Sequence, residues 1–220
     1  TWLGVRHPRT AADLLLGYAT PAQCIAPARE NLDLIIANHN LLRAEGQLWR
    51  MDEGNERIAQ RVLHYTMRDV NDYDYILLDC SHSMSRLTQN ALLYARELVI
   101  PVSMDYLSMV GIRQVIETLK DIGRIPGHQL RLTAVVPTMV YARLRKDREV
   151  LTMLNHYFRG KVTEAIRTNV RISEASSHQM TIFEYAPRSH GAEDYAKLAE
   201  WISSQGENVQ THGKEKTEQA

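Results

Sequence analysis

Cysteine, phenylalanine and long apolar runs are all scarce in this chain, and each shortage excludes something. The 220 residues contain two cysteines, Cys24 and Cys80, and two phenylalanines. The cysteines stand far apart and in no metal-ligand spacing, which argues against a disulfide framework and a zinc site and points to a reducing compartment. No apolar run approaches the roughly eighteen residues of a membrane span, so none is expected. The residues contain no Gly-x-Lys-Ser/Thr segment of the kind that cradles phosphates. Net charge is also lacking. With 26 basic and 26 acidic residues the formal charge is zero, so attraction to a polyanion must come from a local face.

What is present is ordinary in bulk and uneven in detail. A hydrophobic fraction of 44% and a charged fraction of 24% fit one soluble globular domain. Between Arg124 and Arg171 there are ten Lys or Arg against three acids, Asp147, Glu149 and Glu164, a local balance of +7. The densest knot is Arg143, Arg145, Lys146 and Arg148. Such a patch is the footprint of nucleic-acid contact or a solvated helix face, and composition alone does not choose.

Strands and helices alternate. Pro8–Leu16 reads as a helix stopped by Gly17, and Leu32–Ala37 as a strand. Residues 38–70 read as helix broken near Gly46 or Gly54, with Ile58, Val62, Tyr65 and Val70 facing inward. Helices are expected at Leu87–Ala95, 106–122, 150–158 and from Tyr195, and strands at Tyr75–Asp79, Leu98–Val102, Arg131–Val136 and Val162–Ile166. Asn169-Val170-Arg171 is expected in a loop. From Gln205 the chain holds little that is apolar, so the domain should be residues 1–204, with a disordered tail over 205–220. The alternation predicts a three-layer α/β domain on a mostly parallel sheet.

One βαβ unit carries chemistry. Tyr75-Ile76-Leu77-Leu78-Asp79 ends an apolar run on an acid, and a helix and the strand Leu98–Val102 follow. A buried parallel strand delivers its last residue to the sheet edge where ligands bind. On the residues alone, a strand that merely happens to end in Asp fits equally well.

The motifs along the chain resemble the ParA/Soj partition ATPases. The match runs through Tyr73–Cys80, Leu87-Thr88-x-Asn90-Ala91-Leu92, Ile100-Pro101-Val102 and Gly111-Ile112-x-Gln114-Val115-Ile116-Glu117. It continues through Val136–Arg143, Asn169–His178, Ile182–Tyr185 and Arg188–Ala192, covering roughly residues 1–204 in one register. The resemblance implies a P-loop NTPase-like fold, ATP and Mg²⁺ as cofactors, and Asp79 as the metal-side carboxylate, acting through water. It implies Asn169 on the adenine side, and Arg143 and Arg171 on a surface for non-specific DNA. It further implies a homodimer, a ParB-like activator, no membrane, and a nucleoid-associated cytoplasmic location.

The family's phosphate-loop strand would lie before Thr1. The chain as given is therefore expected to be a fragment without hydrolytic activity, with the backbone of Ile76–Leu78 short of a partner. Departures also stand inside the match. Ser81-His82 replaces a pair of prolines, Tyr141 stands where an Asp is common, and Arg167-Thr168-Asn169 replaces Pro-Arg-Asn. His82 reads as a replaced loop proline rather than a general base, and Met104, Met109 and Trp201 as core or interface filler. A degenerate scaffold and a MinD-like positioning ATPase are the alternatives. The latter requires an amphipathic C-terminal helix that the polar residues after Gln205 do not supply.

Overall fold

The computed structural model describes residues 3–59, 62–70, 72–81, 83, 85–105, 117, 120, 122, 128 and 130–217. His82, Met109 and nearly all of the helix expected over 106–122 lie outside them. The chain forms two compact units, Thr1–Arg96 with Ile125–Leu130, and Glu97–Arg124 with Arg131–Ala220.

In the first unit, α1 (Ala11–Leu15) starts at Thr10, whose backbone N–H and hydroxyl both donate to Asp13 Oδ2 at 2.9 and 3.0 Å. It ends before Gly17, which takes φ +73°, a left-handed value that favours glycine. After α2 (Pro21–Cys24), strands β1 (Ile25–Arg29) and β2 (Leu32–Ile35) pair antiparallel, Ile25 opposite Ile35. Only β2 was legible in the sequence. Ala26-Pro27-Ala28 carries no β signal, and proline is tolerated because this two-stranded ladder has only edges.

Helix α3 (Leu41–Ala59) runs through both Gly46 and Gly54, where a break was expected. A helical glycine costs only about 1 kcal/mol, and the fully buried Ala44 and Leu48 help hold the helix in place. A Cβ at Gly46 would meet nothing within 4 Å. Gly46→Ala is therefore expected to stabilise the unit by about 0.5–1 kcal/mol, read as a raised denaturation midpoint at constant slope.

Helix α4 (Val62–Thr66) buries Val62 but leaves Tyr65 half exposed, so Tyr65 departs from the expected inward stripe. Helix α5 (Arg86–Tyr94), capped by Ser85, is tied to α4 by the buried Asn90. Its Oδ1 accepts from the Leu63 N–H at 3.1 Å while Nδ2 donates to the Arg86 carbonyl at 2.9 Å. Leu14, Ala19, Cys24 and Met67 form the core.

The segment expected as the strand Tyr75–Asp79 does not form one. Residues 75–80 belong to no ladder among the described residues, and Ile76 and Leu77 are exposed, Leu77 at 89%. A strand persists only where a neighbour takes up its backbone hydrogen bonds.

The second unit is built on a parallel pair, β3 (Glu97–Ser103) beside β4 (Arg131–Thr138), with Ile100 opposite Val135. β4 is buried on both faces, as a parallel strand covered by helices requires. Val135 joins Ile100, Val102, Met104, Val150, Leu154 and Phe158 beneath α6 (Arg145–Tyr157). Ala134 and Val136 face the other way, with Ile166, Leu198 and Trp201. Met104 and Trp201 are thus core residues, as expected.

The short strand expected at Val162–Ile166 is reduced to two parallel bridges, Val135 with Val162 and Val140 with Arg167. Helices α7 (Val170–Ser177), α8 (Ile182–Tyr185) and α9 (His190–Thr217) complete the unit. The backbone of α9 runs as helix to Thr217. Extending a formed helix costs far less than starting one. Parallel strands, helical layers and two-sided burial together make the second unit an α/β fold. Among the described residues no helix is long and apolar enough to cross a membrane.

Candidate functional site

Asp79 belongs to the first unit, and Arg143, Asn169 and Arg171 to the second. Asp79 is exposed, and no hydrogen bond or ion pair engages its carboxylate among the described residues. A single free carboxylate suits Mg²⁺, which keeps several waters and takes one or two protein carboxylates beside substrate phosphates. No group of three or more His, Cys, Asp or Glu is arranged to hold a metal among the described residues.

In the second unit the chain leaves β4 through a strained residue. Met139 has φ +55° and is 67% exposed, an uncommon combination for a non-glycine side chain. It turns the chain into the bridge at Val140, whose N–H donates to the Ile166 carbonyl while the Thr168 N–H donates to the Val140 carbonyl, both at 3.2 Å. This bridge makes the 140–143 and 167–169 segments neighbours.

Arg143 is exposed, with no partner among the described residues. Arg145, Lys146 and Arg148 are also exposed and follow in the first turn of α6. Arg145 pairs with Glu149 at 2.8 Å, and Lys146 donates to the Met104 carbonyl at 2.9 Å. Asp147, in that same turn, is wholly buried, and its Oδ2 accepts from the Tyr141 N–H at 2.7 Å. Nothing in the local spacing announces this bond, which ties the loop before α6 to the helix's first turn.

Of the expected loop, Val170 and Arg171 are already helical, and Asn169 is the non-helical residue just before them. It is the N-cap of α7, with extended backbone at φ −146° and Oδ1 accepting from the Arg171 N–H at 2.9 Å. The left-handed alternative is thereby excluded, and the amide oxygen is committed to the cap. The start of α9 lies directly against it. A Cβ on Gly191 would fall 3.1 Å from Asn169 Nδ2 and 3.0 Å from Ile172 Cγ1. Arg171 is exposed but not free, because its Nη1 donates to Glu174 at 2.8 Å, and this partner holds the guanidinium pKa above its usual value.

Local spacing does not reveal the charge network around Arg167. The Arg167 N–H and Nε donate to Asp194 Oδ2 at 2.9 and 3.0 Å, and Nε also reaches Oδ1 at 3.1 Å. Its Nη2 donates to both Asp194 and Glu193. Burial pushes the Asp194 carboxyl up, but the Arg167 hydrogen bonds outweigh it and hold the group below the ordinary carboxylate value. Lys197 closes the network from Glu193 to Glu164.

Comparison with known proteins places this geometry. The family model described as an AAA domain matches residues 8–132. The sporulation initiation inhibitor protein Soj of Bacillus subtilis is 37% identical over 80% of this chain and 69% of its own length. The chromosome-partitioning ATPase Soj of Thermus thermophilus is 33% identical over 91% and 76%. Among solved structures, cobyrinic acid a,c-diamide synthase of Mycobacterium smegmatis with bound ATP analog and magnesium superposes with a TM-score of 0.73. That match covers 90% of this chain and 74% of the synthase at 23% identity, and bears on the fold alone. On the relatives and the family match together, the chain belongs to the ParA/Soj family of ATPases.

Proposed function

We propose that this chain works as the ATPase of a cytoplasmic partition system. In this reading an ATP-bound dimer holds non-specific nucleoid DNA, and a ParB-like protein triggers its release, so that a plasmid, chromosome or protein cargo is positioned. Asp79 would carry Mg²⁺ through water, and the magnesium would neutralise charge on the phosphates. Asn169 would face the adenine with its Nδ2, since Oδ1 is taken by the cap. The 220 residues supply no phosphate cradle of their own.

The observation that carries the DNA part is the placement of charge at the start of α6. Arg143, Arg145, Lys146 and Arg148 surround a helix N-terminus, where the helix dipole disfavours cations. Arg145 is shared with Glu149 and Lys146 with Asp147 and the Met104 carbonyl, which leaves Arg143 and Arg148, among the described residues, as the two cations that an external anion would pair. Backbone phosphates fit, because arginines that contact phosphate position a protein without reading sequence.

The test is a salt titration of DNA affinity with ATP present, on the full-length protein and on Arg143→Glu/Arg171→Glu. Affinity should fall about equally for any sequence, and each lost phosphate contact should remove roughly 0.9 from the log–log salt slope. Arg143 should contribute the larger part, since Arg171 is shared with Glu174. Unchanged affinity and slope would make both arginines solvated surface and favour the scaffold reading.

A further inference from the structure

Asp194 is the most heavily engaged acid among the described residues. It is 7% exposed, stands near the start of α9, and accepts from one arginine through its backbone N–H, Nε and Nη2. An isolated buried carboxylate is costly, and it persists where its charge is paired and its lone pairs are filled. Arg167 meets both conditions, and the bond from its backbone N–H fixes the main chain as well as the side chain.

The bonding around Arg167 shows why its main chain needs holding. At the bridge with Val140, the ladder bonds come from the N–H groups of Val140, Ile166 and Thr168, the Ile166 N–H donating to Pro137. The Arg167 N–H takes no part in that ladder and goes to Asp194. Asn169 follows two residues later. On α9, Gly191 and Asp194 are three residues apart and so share a face. Gly191 lies against Asn169 while Asp194 grips Arg167. The start of α9 therefore seats the 167–169 segment at two points, one by close approach and one by charge.

We propose that Asp194 is a positioning residue: by gripping Arg167 it holds the 167–169 segment against α9, so that Asn169 Nδ2 is presented to a nucleotide base. The proposal rests on the adenine-side reading of Asn169 given above. It assigns the specificity of the site to a residue that touches no ligand. Glu193, Lys197, Glu164 and His190 form the outer part of the network. Lys197 pairs with Glu193 and Glu164 and not with Asp194 among the described residues, so it serves as a control.

The experiment measures affinity for ATP and for GTP, together with thermal melting, on the full-length protein and four variants. A site built to hydrogen-bond one base loses discrimination when the bonding group moves, and purely structural damage weakens both nucleotides alike. Asn169→Ala and Asp194→Ala should each lower the ATP-over-GTP preference by about tenfold, the equivalent of one hydrogen bond. Arg167→Lys keeps the charge and the backbone bond but loses the guanidinium fork. It should fold and show a smaller loss of preference, which decides the matter if Asp194→Ala does not fold. Lys197→Ala should leave the preference unchanged. If Asn169→Ala loses the preference while the Asp194 and Arg167 variants keep it, the positioning role is overturned and the adenine reading stands. If Asn169→Ala keeps the preference, both fall.

Discussion

Replacing Asp79 with alanine is expected to abolish ATP hydrolysis by the full-length protein while leaving its melting behaviour essentially unchanged. The second half of that expectation comes from the structure. Asp79 is exposed and engaged by no hydrogen bond or ion pair among the described residues, and surface substitutions of that kind stay within about 0.5 kcal/mol. The first half comes from membership of an ATPase family and from the position of Asp79 at the end of its apolar run. A carboxylate that carries the metal contributes where charge develops on the phosphates. The measurement is steady-state phosphate release with and without Mg²⁺, paired with a melt. Wild-type turnover in the variant would mean that the metal-side carboxylate lies elsewhere. A large drop in melting temperature would mean that Asp79 serves the fold.

The fold was legible wherever the pattern was periodic and its partner local. The helix beneath Val150, Leu154 and Phe158, the strands around Ile100 and Val135, and the stop at Gly17 follow from apolar spacing and glycine geometry. Readings failed where a neighbour decides the outcome. Tyr75–Asp79 has the composition of a buried strand, but composition cannot supply the strand beside it. Gly46 and Gly54 looked like breaks because propensity was read without the burial of Ala44 and Leu48.

The candidate site was legible as residues and not as bonds. Arg143 has no partner among the described residues, whereas Arg171 is tied to Glu174 and Asn169 to its cap. The Arg167–Asp194 pair joins residues 27 positions apart and could not be read from local spacing. Sequence reasoning noticed Arg167 only as a departure from its family. The structure shows what stands opposite.

The largest stability loss is expected from Leu154→Ala, and it bears on function because α6 carries the basic knot. Leu154 is fully buried among Val135, Val150 and Phe158 on the face of β4 that α6 covers. Removing a buried leucine costs the transfer term of its methyl groups plus the cavity left behind, about 2–5 kcal/mol. Neighbours in a two-sided parallel layer are held by strands on one side and helix on the other, so collapse into the void is limited and the upper half of that range is expected. Leu144→Ala, at the partly exposed cap of the same helix, is the comparison. Leu144 is 41% exposed and should cost well under half as much. Denaturant titration of both variants gives the result directly, as a shifted midpoint with the slope preserved. If Leu154→Ala cost no more than Leu144→Ala, α6 would not be anchored on β4. The arginines at its start would then have no fixed frame from which to meet a row of phosphates.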